Sequence, residues 1–182
     1  MGKSKESYSH QLAGNISQSF LLEDEDNYFM DKVVRPVSNL YVNNDHGITW
    51  IPCTHNVNSK NIVLNKMWVN FQNENEFNPI HDHSGIISFV VWMKIPTEWD
   101  EQHNLPFSKG SNVAVASDFQ FTYSDILGKH QDYRIQMGGF QEGWMLVFPA
   151  SLRHQVYPFY NCKEQRVSIS GNVTWDSLDL DL

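Results

Sequence analysis

The strongest constraint on this chain is an alternation of side-chain character that recurs from Lys66 onward. Trp68, Asn70 and Gln72 alternate with Val69 and Phe71. Phe119, Phe121 and Tyr123 recur at every second position, and Arg166, Ser168, Ser170 and Asn172 alternate with Val167, Ile169 and Val173. Successive side chains on an extended strand point to opposite faces, so each segment reads as a strand with two unlike faces. Residues 86–95 are largely apolar on both faces, interrupted by Ser88, which reads as a central strand covered on both sides and ended by Pro96. Further strands are expected near 133–137, 144–148, 155–159 and 165–173, with turns between them. Seven or eight short strands of this kind make a mainly β sandwich or barrel with a usable interior.

The first part of the chain reads differently. Residues 1–20 are polar and read as an N-terminal arm, ordered in part at Leu12 and Ile16, with 21–182 forming one domain. Glu23, Asp24, Glu25 and Asp26 suit either a solvated loop or the first turn of a helix, where carboxylates meet the positive end of the dipole. Phe29, Val33, Pro36 and Leu40 then recur at helical spacing, so 24–42 is expected to be a helix packed outside the sheet, broken or kinked at Pro36. A second short helix is expected over 58–66. His46, His55 and His103 sit in polar surroundings and are expected at the surface, whereas Trp92 and Trp144 are expected in the core.

Composition narrows the function classes. A chain of 182 residues with 41% hydrophobic and 13% aromatic content is globular and large enough for a sizeable core. A net charge of −8 argues against bulk electrostatic binding to nucleic acid or to anionic membrane. No stretch approaches the ~20 apolar residues of a membrane span, and the N-terminus lacks a signal-peptide core. A cytoplasmic protein is therefore expected, with Cys53 and Cys162 as free thiols.

The chemistry concentrates in two stretches. His81 and His83 stand two residues apart, so on a strand they share a face from which Asp82 points away. Two imidazoles at that spacing can grip one metal ion, and His154, just past Phe148 and Pro149, is the candidate third ligand. Imidazole suits Fe, Zn, Cu or Ni alike, so the ligand type does not choose the metal. The bland alternative is a chance His pair in a loop. Arg166 opens the polar row that continues through Ser168. That row is either the wall of a pocket or the outer face of an edge strand. In a pocket, the guanidinium offers a fixed set of donors to a carboxylate, and the Ser168 hydroxyl adds another.

Taken together, His81-x-His83, the Ser-Phe-Val run at 88–90, the stretch Gly143 to His154, and Arg166-x-Ser168 resemble the iron(II)- and 2-oxoglutarate-dependent oxygenases. The closest likeness is to small members from marine bacteria and their phages. The resemblance covers about 66–174, with a weaker likeness over Leu12–Ile16. It implies a double-stranded β-helix, or jelly roll, with one or two N-terminal helices packed outside and a metal at the open end. It further implies Fe(II) held by His81, His83 and His154, and 2-oxoglutarate with its distal carboxylate on Arg166 and Ser168. Asn70 and Ser88 would line the pocket. The implied reaction hydroxylates an unidentified substrate and releases succinate and CO2. The family's usual pattern has a carboxylate two residues after the first His. Here His83 stands in that place, so either the site has three histidines or a carboxylate such as Asp82 moves in.

Two rivals share the fold. A cupin would use the same barrel, and Gly143, Pro149 and His154 fall at the spacing of its second motif. However, no Glu follows His83 at the cupin distance, and Arg166 has no required role there. A non-catalytic jelly roll, with the histidines structural, is the third class. The identity of the primary substrate and the oligomeric state are not written in these residues.

Overall fold

The computed structural model describes residues 3–43 and 62–176. Its strands are β1 (Lys3–Ser7), β2 (Gln18–Leu22), β3 (Ile62–Gln72), β4 (Asn78–His81), β5 (Ile87–Lys94), β6 (Phe119–Ser124), β7 (His130–Ile135), β8 (Met145–Pro149), β9 (Arg153–Val156) and β10 (Arg166–Trp175). They form two antiparallel sheets, one in the order β1-β2-β3-β10-β5-β8 and the other β4-β9-β6-β7. The architecture is the expected jelly roll. Val90 and Trp92 of β5 meet Phe119 and Phe121 of β6 and Phe148 of β8 in one buried cluster, so apolar side chains of both sheets close the interior.

β10 lies between β3 and β5, which removes the edge-strand alternative for its polar row. Its register pairs Ser168 with Asn70 on one side and with Trp92 on the other. Around Ser168 and Ser170 the even-numbered positions, Asn70 and Gln72 of β3 and Val90 and Trp92 of β5, thus share the inner face of the sheet. A bulge opposite Asn172–Val173 then turns Ile62 and Leu64 of β3 to the outer face. The odd-numbered positions face outward. There Met67, Ile87, Phe89 and Val173 pack with Met30 and Val34 of the helical segment. Gly171 sits where Phe89 crosses it: a Cβ would overlap the Phe89 ring and come 2.9 Å from the Lys66 carbonyl oxygen.

The helical segment starts as the acidic run allows. Asp24 accepts hydrogen bonds from the backbone N–H groups of Phe29 (2.8 Å) and Met30 (2.7 Å), satisfying donors that a helix start leaves bare. A wide π turn over Met30–Val34 precedes α1 (Arg35–Asn43). Pro36 has no N–H to donate back into that turn, so the change of helical register falls beside it rather than as a break within α1. Two short helices, α2 (Trp99–His103) and α3 (Pro106–Lys109), fill the connection between β5 and β6.

Several expectations are corrected. Residues 3–20, expected as a polar arm ordered only in part, belong to the domain. β1 and β2 join the six-stranded sheet, and Tyr8, Ile16 and Ser19 are buried. Residues 62–66, expected to be helical, open β3. His103 is half-buried, 3.1 Å from Asp118 and against the Trp99 ring. Trp144 is at the surface, edge-on to Phe140. Residues 44–61, which include His46, Cys53, His55 and the start of the second expected helix, and residues beyond Asp176 lie outside the described residues.

Candidate active site

The two sheets bring the three sequence-distant histidines together. β4 pairs with β9 so that His81 stands directly opposite His154. His83 follows in the loop after β4, where its backbone N–H donates to the Ala150 carbonyl (2.9 Å). Ring centroids are 4.3 Å apart for His81 and His154, and 5.0 Å for each of the other two pairs. One nitrogen from each ring lies within 4.8 Å of the others, close enough to share one ion.

The rings are oriented and kept neutral. The Nδ1 of His81 lies 2.7 Å from the Pro79 carbonyl oxygen and that of His154 lies 2.9 Å from the Leu152 carbonyl oxygen. Each ring therefore carries its proton on Nδ1, which leaves the Nε2 lone pair for a metal. His154 is held further by the stacked Phe119 ring (5.6 Å) and the edge of Phe148 (5.0 Å). Burial lowers the pKa of all three: to about 3 for His154, to about 4 for His83, and in the same direction for His81. Neutral imidazole is the form that ligates. Asp82 borders the cavity but is exposed and is not one of the three clustered residues.

The same cavity, about 160 Å³, reaches Arg166 on β10. Arg166 is buried, 2% exposed, beneath the Phe159 ring at 5.1 Å. Its Nη2 donates to the Ser117 carbonyl oxygen (3.0 Å) and to the Ser117 hydroxyl. Its Nε and Nη1 have no partner among the described residues. Burial lowers its pKa to about 10, with Asp118 opposing the shift, so the guanidinium stays charged at neutral pH. A buried cation with unused donors is costly unless an anion completes it.

The other expected residues divide. Ser168 and Asn70 line the cavity, as do Ser170 and Asn172 farther along β10. Ser88 does not line it. Its hydroxyl donates instead to Asn172 Oδ1 of the neighbouring strand (2.8 Å), as the Ser19 hydroxyl does to Asn70 Oδ1 (2.7 Å). Both serines fix an asparagine so that its amide nitrogen is left for the cavity side. Trp92 serves both as core and as cavity wall.

Sequence reasoning missed one whole wall. Tyr8, Gln11, Leu12, Ala13 and Ile16 line the cavity. They are fastened there by Tyr8 against Trp68 (5.4 Å), by Lys66 donating to Gln11 Oε1 (3.1 Å), and by the Asn15 N–H on the Phe77 carbonyl (2.8 Å). The isolated apolar residues Leu12 and Ile16 in a polar stretch were the available signal.

Among solved structures, the chain is similar to a 2OG-Fe(II) oxygenase family oxidoreductase from Burkholderia pseudomallei (12% identity, TM-score 0.43). That alignment covers 62% of this chain and 44% of that one, so the chain spans less than half of that protein's length. A Pseudomonas putida prolyl-4-hydroxylase is similar at 12% identity and TM-score 0.49, covering 88% and 73%. A Bordetella pertussis cupin domain is similar at 12% identity and TM-score 0.33, covering 62% and 91%. No curated protein matches significantly. Among the described residues, no helix is long and apolar enough to cross a membrane. A family profile described as "Putative 2OG-Fe(II) oxygenase" matches residues 66–172, more than half of the chain and the part that carries all three histidines and Arg166. The chain belongs to that 2OG-Fe(II) oxygenase family, whose chemistry uses Fe(II) and 2-oxoglutarate.

Proposed function

We propose that this chain hydroxylates a primary substrate, with Fe(II) held by His81, His83 and His154 and the distal carboxylate of 2-oxoglutarate held by Arg166 and Ser168. The observation that carries this reading is the buried Arg166 with Nε and Nη1 unpartnered, in the same cavity as three neutral, oriented imidazoles. The cupin alternative gives that arginine nothing to do.

The overall reaction balances as substrate R–H, O2 and 2-oxoglutarate giving R–OH, succinate and CO2. Bound iron supplies open coordination positions and the redox capacity to use dioxygen. The chain's own residues supply placement. The Pro79 and Leu152 carbonyls fix two imidazoles before the metal arrives, so little reorganisation accompanies binding. Arg166 anchors the co-substrate at its far end and so sets the direction in which its 2-oxo acid end points. Phe119, Phe148 and Trp92 exclude water around the imidazoles. With His83 where a carboxylate is usual, the ligand set is neutral and the metal centre carries one more positive charge. Asp82 is not a ligand in this reading.

The test is an oxygen-free titration of the Fe(II)-loaded protein with 2-oxoglutarate, following the weak visible metal-to-ligand charge-transfer band. The wild type should develop the band. His154→Ala should lose metal binding. Arg166→Ala should keep the metal and lose about 2–5 kcal/mol of 2-oxoglutarate affinity, as expected when one partner of a buried charged pair is truncated. Iron binding with no band would turn the reading toward a cupin. An absence of metal binding would leave only the fold.

A further inference from the structure

The cavity leaves open what holds Arg166 itself, and the answer lies in a turn outside every stretch the sequence singled out. Ser117 is fully buried and has φ +73°. It is the third residue of a turn closed by the Asp118 N–H on the Val115 carbonyl (3.1 Å). A positive φ at that position is the province of Gly or Asn, and a serine there is strained. Its backbone N–H is bound to the Pro158 carbonyl (2.8 Å), so the turn is tied to the segment that also carries Phe159 over the guanidinium. Both oxygens of Ser117, carbonyl and hydroxyl, accept from Arg166 Nη2. The next residue, Asp118, is buried and fixed by Trp99 Nε1 (3.0 Å) and His103 (3.1 Å), and its charge opposes the cost of burying Arg166. A glycine would relieve the strain and keep the carbonyl acceptor. Only the hydroxyl would be lost.

We infer that Ser117 is a positioning residue for the co-substrate anchor: its hydroxyl fixes Arg166 Nη2 so that one of the unpartnered Nε and Nη1 donors stays turned to the distal carboxylate of a five-carbon 2-oxo diacid. This rests on the co-substrate reading above. The strained backbone is the cost of placing that hydroxyl beside the guanidinium.

The experiment compares two 2-oxo acids on the Fe(II)-loaded full chain without oxygen. 2-Oxoglutarate has the distal carboxylate, and 2-oxobutyrate has the same metal-binding end without it. The wild type should bind 2-oxoglutarate far more tightly. Ser117→Gly should raise the 2-oxoglutarate dissociation constant roughly tenfold, the loss expected for one hydrogen bond to a charged group. It should leave 2-oxobutyrate binding unchanged, and its thermal midpoint should not fall. Equal weakening of both acids, or no weakening of either, would overturn the positioning role while leaving Arg166 as the anchor. A wild type that does not distinguish the two acids would overturn the co-substrate reading and this inference with it.

Discussion

At the residue scale, burial holds the three clustered histidines, the proposed metal ligands, in their neutral form. In the unfolded chain an imidazole takes its proton near pH 6.5, whereas His83 and His154 resist until about 4 and about 3. Between those values the unfolded state binds more protons, so the metal-free fold is most stable above pH 6.5 and loses stability as pH falls toward 4. Thermal midpoints of the metal-free protein between pH 7.5 and 4.5 should decline, and His154→Gln should decline less steeply. Equal slopes would show that His154 is not held neutral. The alternation that placed Arg166 inside was legible in sequence because it follows from strand geometry. The His-x-His pair was legible as a motif, although β4 ends at His81 and His83 reaches the cluster from the loop that follows. Ser117 was not legible. A strained φ and a two-oxygen contact with a residue 49 positions away leave no periodic trace.

At the element scale, the strand pattern was readable from 66 onward because each strand has one face in the cavity or core. The N-terminal segment was misread because its contribution is made by a few side chains over an otherwise polar stretch. Tyr8, Leu12 and Ile16 line the cavity together with the exposed Gln11 and Ala13, so no strict alternation marks the stretch. That wall depends on close backbone approach at Gly14, where a Cβ would overlap the Asn78 side chain and sit 3.1 Å from the Phe77 carbonyl oxygen. Gly14→Val should destabilise the fold by about 1–3 kcal/mol through overpacking, measured as a lower urea midpoint. Gly171→Ala tests the opposite face of β10. It forces Phe89 out of its place and should cost a similar ~1–3 kcal/mol. An unchanged midpoint in either variant would show that the contact yields freely.

At the scale of the whole molecule, the jelly roll closes by bringing strands distant in sequence into register. β4 with β9 sets His81 against His154, and β10 between β3 and β5 turns a polar row inward. The central claim is that one cavity holds the metal at the three imidazoles and the co-substrate at Arg166. The most direct measurement is a crystal structure of the protein with Mn(II), as an oxygen-stable stand-in for Fe(II), and 2-oxoglutarate. The account predicts anomalous density among His81, His83 and His154, with the distal carboxylate against Arg166 and Ser168. Metal ligated by Asp82 in place of His83, or a co-substrate that leaves Arg166 Nε and Nη1 unpartnered, would contradict it.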